Sequence, residues 1–117
     1  MICDTGHNEG GIKEVVKQIR LQKYEKLFIV LGCVGDKDLT IILMLLPKEA
    51  YYIFCQASIP RAMDADELYQ QASRHQLTGE VIKEVNLAMD KAKQLSGIND
   101  FIFIGGSTFV VAEIAGL

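Results

Sequence analysis

None of the chain's apolar runs approaches the ~20 residues needed to span a bilayer, and no secretory leader pattern opens it. A membrane partner is therefore not expected, and a cytoplasmic location is. A basic surplus is also lacking. The net charge is −3 and the isoelectric point about 5.3, which argues against a nucleic-acid backbone or an anionic membrane surface as the main partner. Any anionic ligand must be met by local groups, not by the overall field. Cysteine is scarce: Cys3, Cys33 and Cys55 are odd in number and share no short spacing. Buried thiols in a reducing compartment are the expectation, and no metal site is. The sequence also has no G-x-x-x-x-G-K-[ST] phosphate loop and no G-x-G-x-x-G after its first strand. Repeats, linkers and low-complexity segments are absent too, which leaves a single domain over residues 1–117.

What the chain does have is apolar bulk. Half of its 117 residues are hydrophobic, enough for a layered core without disulfide or metal staples. Residues 10–22 read as a helix, because Ile12, Val15, Val16 and Ile19 recur with the period of one buried face. Residues 26–33 (KLFIVLGC) form a continuous apolar run, short for a helix and suited to a strand buried on both sides. Helical character returns over 38–46 and stops at Pro47. Residues 50–57 (AYYIFCQA) read as a third strand. Residues 64–74 read as a polar helix capped by Asp64, with Glu67 three positions on. A short strand is predicted over 79–82, a helix over 83–95, a strand over 100–105 (DFIFIG), and a closing helix over 107–114.

Strands that alternate with helices, and that lack period-2 polarity, imply an α/β fold. The expected form is a three-layer Rossmann-like domain, with a mostly parallel sheet and helices on both faces. In such a sheet, ligands gather at the carboxyl ends of the strands. Four chemically rich segments fall there: residues 4–8, 32–38, 58–61 and 105–108.

The first of these, Asp4-Thr5-Gly6-His7-Asn8-Glu9-Gly10-Gly11, is the densest. An aspartate after a strand accepts hydrogen bonds from ribose hydroxyls, the glycines admit phosphates to the backbone, and His7 can donate to a phosphate or carboxylate. A capped turn with a solvent-facing histidine is the plainer reading. Only three residues precede Asp4, too few for the strand that such a loop normally leaves, so the chain is expected to be part of something longer. In Gly32-Cys33-Val34-Gly35-Asp36-Lys37-Asp38, Lys37 stands between two carboxylates. The loop either holds an anion or lines a domain interface, or Asp36 or Asp38 simply caps the next helix. Pro60-Arg61 is a stiff turn with a guanidinium suited to a carboxylate, or else an exposed arginine paired with Asp64 or Asp66. Gly105-Gly106-Ser107-Thr108 either cradles an anion through backbone N–H groups or is an ordinary strand-to-helix connection. His75 reads as a surface position, and Glu113 as facing either solvent or an adjacent domain.

Taken together, these motifs resemble a known family. Asp4-Thr5-Gly6-His7-Asn8, Gly32-x-x-Gly35-Asp36-Lys37-Asp38, Pro60-Arg61-Ala62 and Gly106-Ser107-x-Phe109-x-Val111-x-Glu113 are similar in order and spacing to the C-terminal domain of folylpolyglutamate synthase/dihydrofolate synthase, of the Mur ligase superfamily. The resemblance covers nearly the whole chain. It implies an ATP-dependent amide ligase, in which a folate or pteroate carboxylate becomes an acyl phosphate that the amino group of L-glutamate attacks. It implies that Asp4 contacts the ATP ribose, that His7 faces the phosphates as the catalytic group with Asn8 beside it, and that Asp36, Lys37 and Asp38 line the interdomain cleft. Arg61 then falls where related ligases hold the incoming amino acid's carboxylate, with Ser107 near the same cleft. ATP and Mg2+ would be cofactors of the full-length enzyme and would not be bound by this domain alone. The phosphate loop, most of the folate site and most metal ligands would lie on a preceding ATPase domain, the principal partner, and the domain alone would be inactive. Two other readings remain: the C-terminal domain of a cell-wall Mur amino-acid ligase, and a non-catalytic module binding a nucleotide or amino acid.

Overall fold

The fold is taken from a computed structural model, which describes residues 2–3, 16, 17, 19–21, 23–33, 39–56 and 62–105. The described residues form five strands: β1 (Ile2–Cys3), β2 (Leu27–Leu31), β3 (Tyr51–Gln56), β4 (Thr78–Glu84) and β5 (Phe101–Gly105). Among the described residues, helices α1 (Thr40–Leu45), α2 (Ala65–Arg74) and α3 (Val85–Leu95) stand between them. Val16, Lys17, Ile19 and Arg20 are helical as well, inside the helix predicted over 10–22. The earlier residues of that helix, and the closing helix expected over 107–114, lie outside the described residues.

The strands form one sheet in the order β1-β5-β2-β3-β4, and every pairing is parallel. The chain moves outward through β2, β3 and β4, then returns to place β5 between β1 and β2. Parallel crossovers keep one hand, so outward and return connections must lie on opposite faces. The packing follows this rule. Ile19, the α1 residues Leu43 and Ile42, and the α2 residues Leu68 and Ala72 pack with Leu27, Ile29, Leu31, Tyr52, Phe54 and Phe103. On the other face, Val85, Ala88, Met89 and Ala92 of α3 pack with Phe28, Val30, Ile53, Ile102 and Ile104. Each central strand therefore buries successive residues on both sides, which is why β2 and β5 read as unbroken apolar runs. Full burial of one such side chain stabilises the fold by about 1.5–3 kcal/mol.

Several predicted boundaries shift for local reasons. Leu39 occupies the N-cap of α1 without a side-chain cap bond, where an aspartate had been expected; Asp36 and Asp38 themselves lie outside the described residues. Pro47 ends α1 as predicted, and its carbonyl accepts the buried Tyr52 hydroxyl at 2.6 Å. The fourth strand begins at Thr78 and runs through Lys83 and Glu84, two residues that had been assigned to the following helix. Glu84 instead caps α3, its carboxylate accepting Leu87 N–H at 2.7 Å. The Asp64 cap of α2 is as expected, accepting Glu67 N–H at 3.3 Å. Cys33 and Cys55 are buried, as the composition suggested.

Close backbone approach fixes one glycine. Gly79 is the register partner of Tyr52, and a Cβ placed on it would lie 1.9 Å from the Tyr52 carbonyl oxygen.

Candidate functional site

Because every pairing is parallel, the five strands end on one edge, at Cys3, Leu31, Gln56, Glu84 and Gly105. Register fixes which endings are neighbours. Cys3 faces Ile104, Gly105 faces Leu31, and Leu31 faces Phe54. Gly32 N–H, one residue past β2, still reaches the Gly105 carbonyl at 3.3 Å. The departure points after β1, β5 and β2 thus sit on three adjacent strands, within two strand spacings, or about 10 Å. Three of the four chemically rich segments leave from there.

The fourth is brought in by backbone bonding. Met63 N–H donates to the Cys33 carbonyl at 2.9 Å. This ties the chain just beyond residues 57–61 to the point where the 34–38 loop departs. Asp4, His7, Asn8, Asp36, Lys37, Asp38, Arg61 and Ser107 all lie outside the described residues. Their anchor points converge on one edge, and that convergence is what the fold contributes to the site.

Sequence reasoning missed two polar residues on this edge. Gln56, the last residue of β3, accepts Ala65 N–H through its amide oxygen at 2.9 Å. Lys83, near the end of β4, shares its ammonium between Asp64 at 3.2 Å and Asp66 at 3.1 Å. The hydrogen bonds of Lys83 to Asp66 and Asp64 raise its pKa, and Lys83 in turn holds the Asp64 carboxyl below the usual carboxylate range. These groups are solvent-exposed, so the pairs add little stability. They do commit Lys83 to two carboxylates, so it is not the edge's free anion-binding cation. The signal for Lys83 was hidden because a helix was assigned from residue 83; glutamate is not among the preferred N-cap residues, so Glu84 did not mark the helix start.

A recess of about 620 Å³ opens at the opposite, amino edge, lined by Phe28, Tyr51, Glu80, Lys91 and Leu95 among others. It adjoins the last turns of α3 and none of the motif-bearing segments. Ligand sites of parallel α/β sheets sit where strands end and helix N-termini point, which places the candidate site at the carboxyl edge. Among the described residues no group of His, Cys, Asp or Glu is arranged to hold a metal ion, and no helix is long and apolar enough to cross a membrane.

Comparison with known proteins found relatives in both sequence and fold. The family model described as "Mur ligase, glutamate ligase domain" matches residues 1–108. A curated relative from Haloferax volcanii, a probable bifunctional folylpolyglutamate synthase/dihydropteroate synthase, is 29% identical over 116 residues, covering 97% of this chain and 14% of its own length. The folylpolyglutamate synthase of Mycobacterium tuberculosis, solved with ADP and AMPPCP, superposes with a TM-score of 0.80 at 25% identity, covering 94% of this chain and 27% of its own. FolC of E. coli, solved with DHPP and ADP, superposes at 0.83 with 23% identity over 93% of this chain and 26% of its own; at that identity the likeness shows the fold. The chain thus spans about a seventh of the curated relative and about a quarter of the solved ones.

Proposed function

The chain belongs to the family of Mur ligase glutamate ligase domains, and from that premise we propose that it is the C-terminal domain of an ATP-dependent folylpolyglutamate synthase/dihydrofolate synthase. The observation that carries this reading is the family match over residues 1–108, together with a fold that starts all four motif segments from one sheet edge.

In the reaction, a folate or pteroate carboxylate oxygen attacks the γ-phosphorus of ATP. The bond to the ADP oxygen breaks, leaving an acyl phosphate. The amino nitrogen of L-glutamate then attacks the acyl carbon, inorganic phosphate departs, and the nitrogen loses a proton to give the amide. This domain's share is positioning. Asp4 holds ribose hydroxyls. His7 donates to phosphate or acyl-phosphate oxygens, with Asn8 beside it. The donor and acceptor set of this segment suits a nucleotide's sugar and phosphates. Asp36, Lys37 and Asp38 line the cleft against a preceding ATPase domain, Ser107 lies near it, and Arg61 takes the carboxylate of the incoming glutamate. Magnesium and the phosphate loop belong, in this reading, to that preceding domain, and the enzyme works in the cytoplasm.

The reading is tested on the ligase polypeptide that contains this domain. Replacing Arg61 with Ala removes a charge-assisted pair to the amino acid, which contributes about 1.5–3 kcal/mol. The KM for L-glutamate should rise about 10- to 100-fold while the KM for ATP stays nearly constant. An unchanged glutamate KM would remove Arg61 from the site.

A further inference from the structure

The recess at the amino edge has no part in the reaction proposed above, yet it is built like a ligand site. Its volume of about 620 Å³ falls among small-molecule pockets, roughly 300–1,000 Å³. The packing of α3 leaves it open. That helix buries Val85, Ala88, Met89 and Ala92, so its inner face ends on a methyl group. Leu95, its last residue, is 42% exposed and lines the recess. The sheet side is made where β2, β3 and β4 begin. Phe28 faces Tyr51 and Tyr51 faces Thr78 in register, and the two rings meet edge to face with centroids 6.2 Å apart. An apolar surface of two rings and a leucine is thus left without protein to cover it among the described residues.

Two half-buried side chains of opposite charge line the same surface, Glu80 of β4 and Lys91 of α3. The Tyr51 hydroxyl donates to Glu80 Oε2 at 2.6 Å. That bond holds the carboxylate beside the rings, and no donor meets its other oxygen among the described residues. Neither Glu80 nor Lys91 has an ion-pair partner there, because the described pairs are those of Arg20 with Glu49 and of Lys83 with Asp64 and Asp66. Partial burial of a charge without a partner is unfavourable, so both groups gain from a ligand that brings the missing counter-charges.

The other lining charges decide what sign that ligand carries. Glu49 is already held by Arg20 at 3.2 Å. Glu25 and Lys26 stand exposed at the rim. Glu25 and Glu80 are then balanced by Lys26 and Lys91. A plain cation or a plain anion would satisfy one sign and meet the other as a repulsion. A zwitterion with an apolar body satisfies both signs and covers the rings. That is the chemistry of an α-amino acid with an apolar side chain.

We propose that the amino-edge recess binds a free α-amino acid with an apolar side chain, its ammonium on Glu80, its carboxylate on Lys91 and its side chain against Phe28, Tyr51 and Leu95. The two polar contacts are charge-assisted, and the aromatic surface adds ring packing. This site stands independently of the roles given to residues 4–8, 36–38, 61 and 107.

The test is calorimetric titration of the ligase polypeptide that contains this domain, with L-phenylalanine as the probe. Binding with a dissociation constant of about 1 mM or tighter is expected, the scale for a ligand of that size. Phenethylamine lacks the carboxylate and 3-phenylpropionate lacks the ammonium; each should bind about tenfold more weakly, the scale of one lost charge-assisted bond. Glu80→Gln keeps an acceptor for the Tyr51 hydroxyl and removes the charge, and Lys91→Met keeps the side-chain length and removes the charge. Each variant should weaken L-phenylalanine binding about tenfold. Arg61→Ala should leave that binding unchanged, which separates this recess from the glutamate position proposed above. Three results overturn the proposal: no binding of L-phenylalanine at about 10 mM, equal affinity for L-phenylalanine and either singly charged probe, or binding that survives both recess variants and is lost in Arg61→Ala. The probe series uses the unmodified protein, so it decides the question even where a variant unfolds.

Discussion

Gly79 shows how one position can decide whether a strand pairs. It lies where β4 meets β3, and any side chain there would point its Cβ into the Tyr52 carbonyl, 1.9 Å from the oxygen. The obstacle is backbone, so no rotamer change relieves it. Gly79→Ala should therefore force β4 away from β3 and destabilise the domain by about 3 kcal/mol, the upper part of the range for overpacked cores. Urea denaturation of the isolated chain measures this directly, and a loss below about 0.5 kcal/mol would show that the strands separate freely. The sequence marked this glycine as the start of a strand but gave no sign of the close approach. That constraint comes from the register with Tyr52, a residue 27 positions away, and no local pattern encodes it. Gln56 and Lys83 were hidden for the same reason. Their partners, Ala65 and the pair Asp64 and Asp66, become neighbours only once β3, β4 and α2 are assembled.

At the scale of elements, burial determined what could be read from the sequence. β2 and β5 are covered on both faces, and their unbroken apolar runs were legible as strands. β4 lies at the edge of the sheet and is only partly buried. Its Glu80, Lys83 and Glu84 suit a strand that must not recruit another chain, but they blurred its end, so two of its residues read as helix. The same edge pairing has a measurable consequence. Tyr51 of β3 donates its hydroxyl to the Glu80 carboxylate of β4 at 2.6 Å. That bond, with a smaller contribution from burial, pushes the phenol from its ordinary value near 10 up to about 12. The folded state therefore holds this proton more tightly than the unfolded chain does. The contribution of the pair is fully present below pH 10 and is lost as pH rises toward 12. Relative to Tyr51→Phe, the unmodified chain should lose stability more steeply over that interval in pH-dependent denaturation; parallel curves would show that the hydrogen bond does not form.

At the scale of the whole molecule, the parallel sheet and its two helical faces were legible in the sequence, and so was the edge from which the motif segments depart. The reversal of chain direction after β4 was not. It follows from β5 inserting between β1 and β2, and it is what puts the departure points for residues 4–8, 32–38 and 106–108 on adjacent strands. The site proposed on that edge draws an acid, an imidazole and an amide from residues 4–8 and two cations from Lys37 and Arg61, and the sequence has no G-x-x-x-x-G-K-[ST] phosphate loop. In the proposed reading such a domain orients a nucleotide and an amino acid, while the β- and γ-phosphates of ATP are held by the preceding domain. The central claim is thus one of shared catalysis: this chain supplies one wall of a ligase site, and an ATP-binding domain supplies the other. The most direct measurement is ATP-dependent incorporation of labelled L-glutamate into dihydropteroate or a reduced folate, by this chain alone and by a polypeptide in which it is joined to its ATP-binding domain. The account predicts incorporation by the joined polypeptide and none by the chain alone. Incorporation by the chain alone, or none by the joined polypeptide, would contradict it.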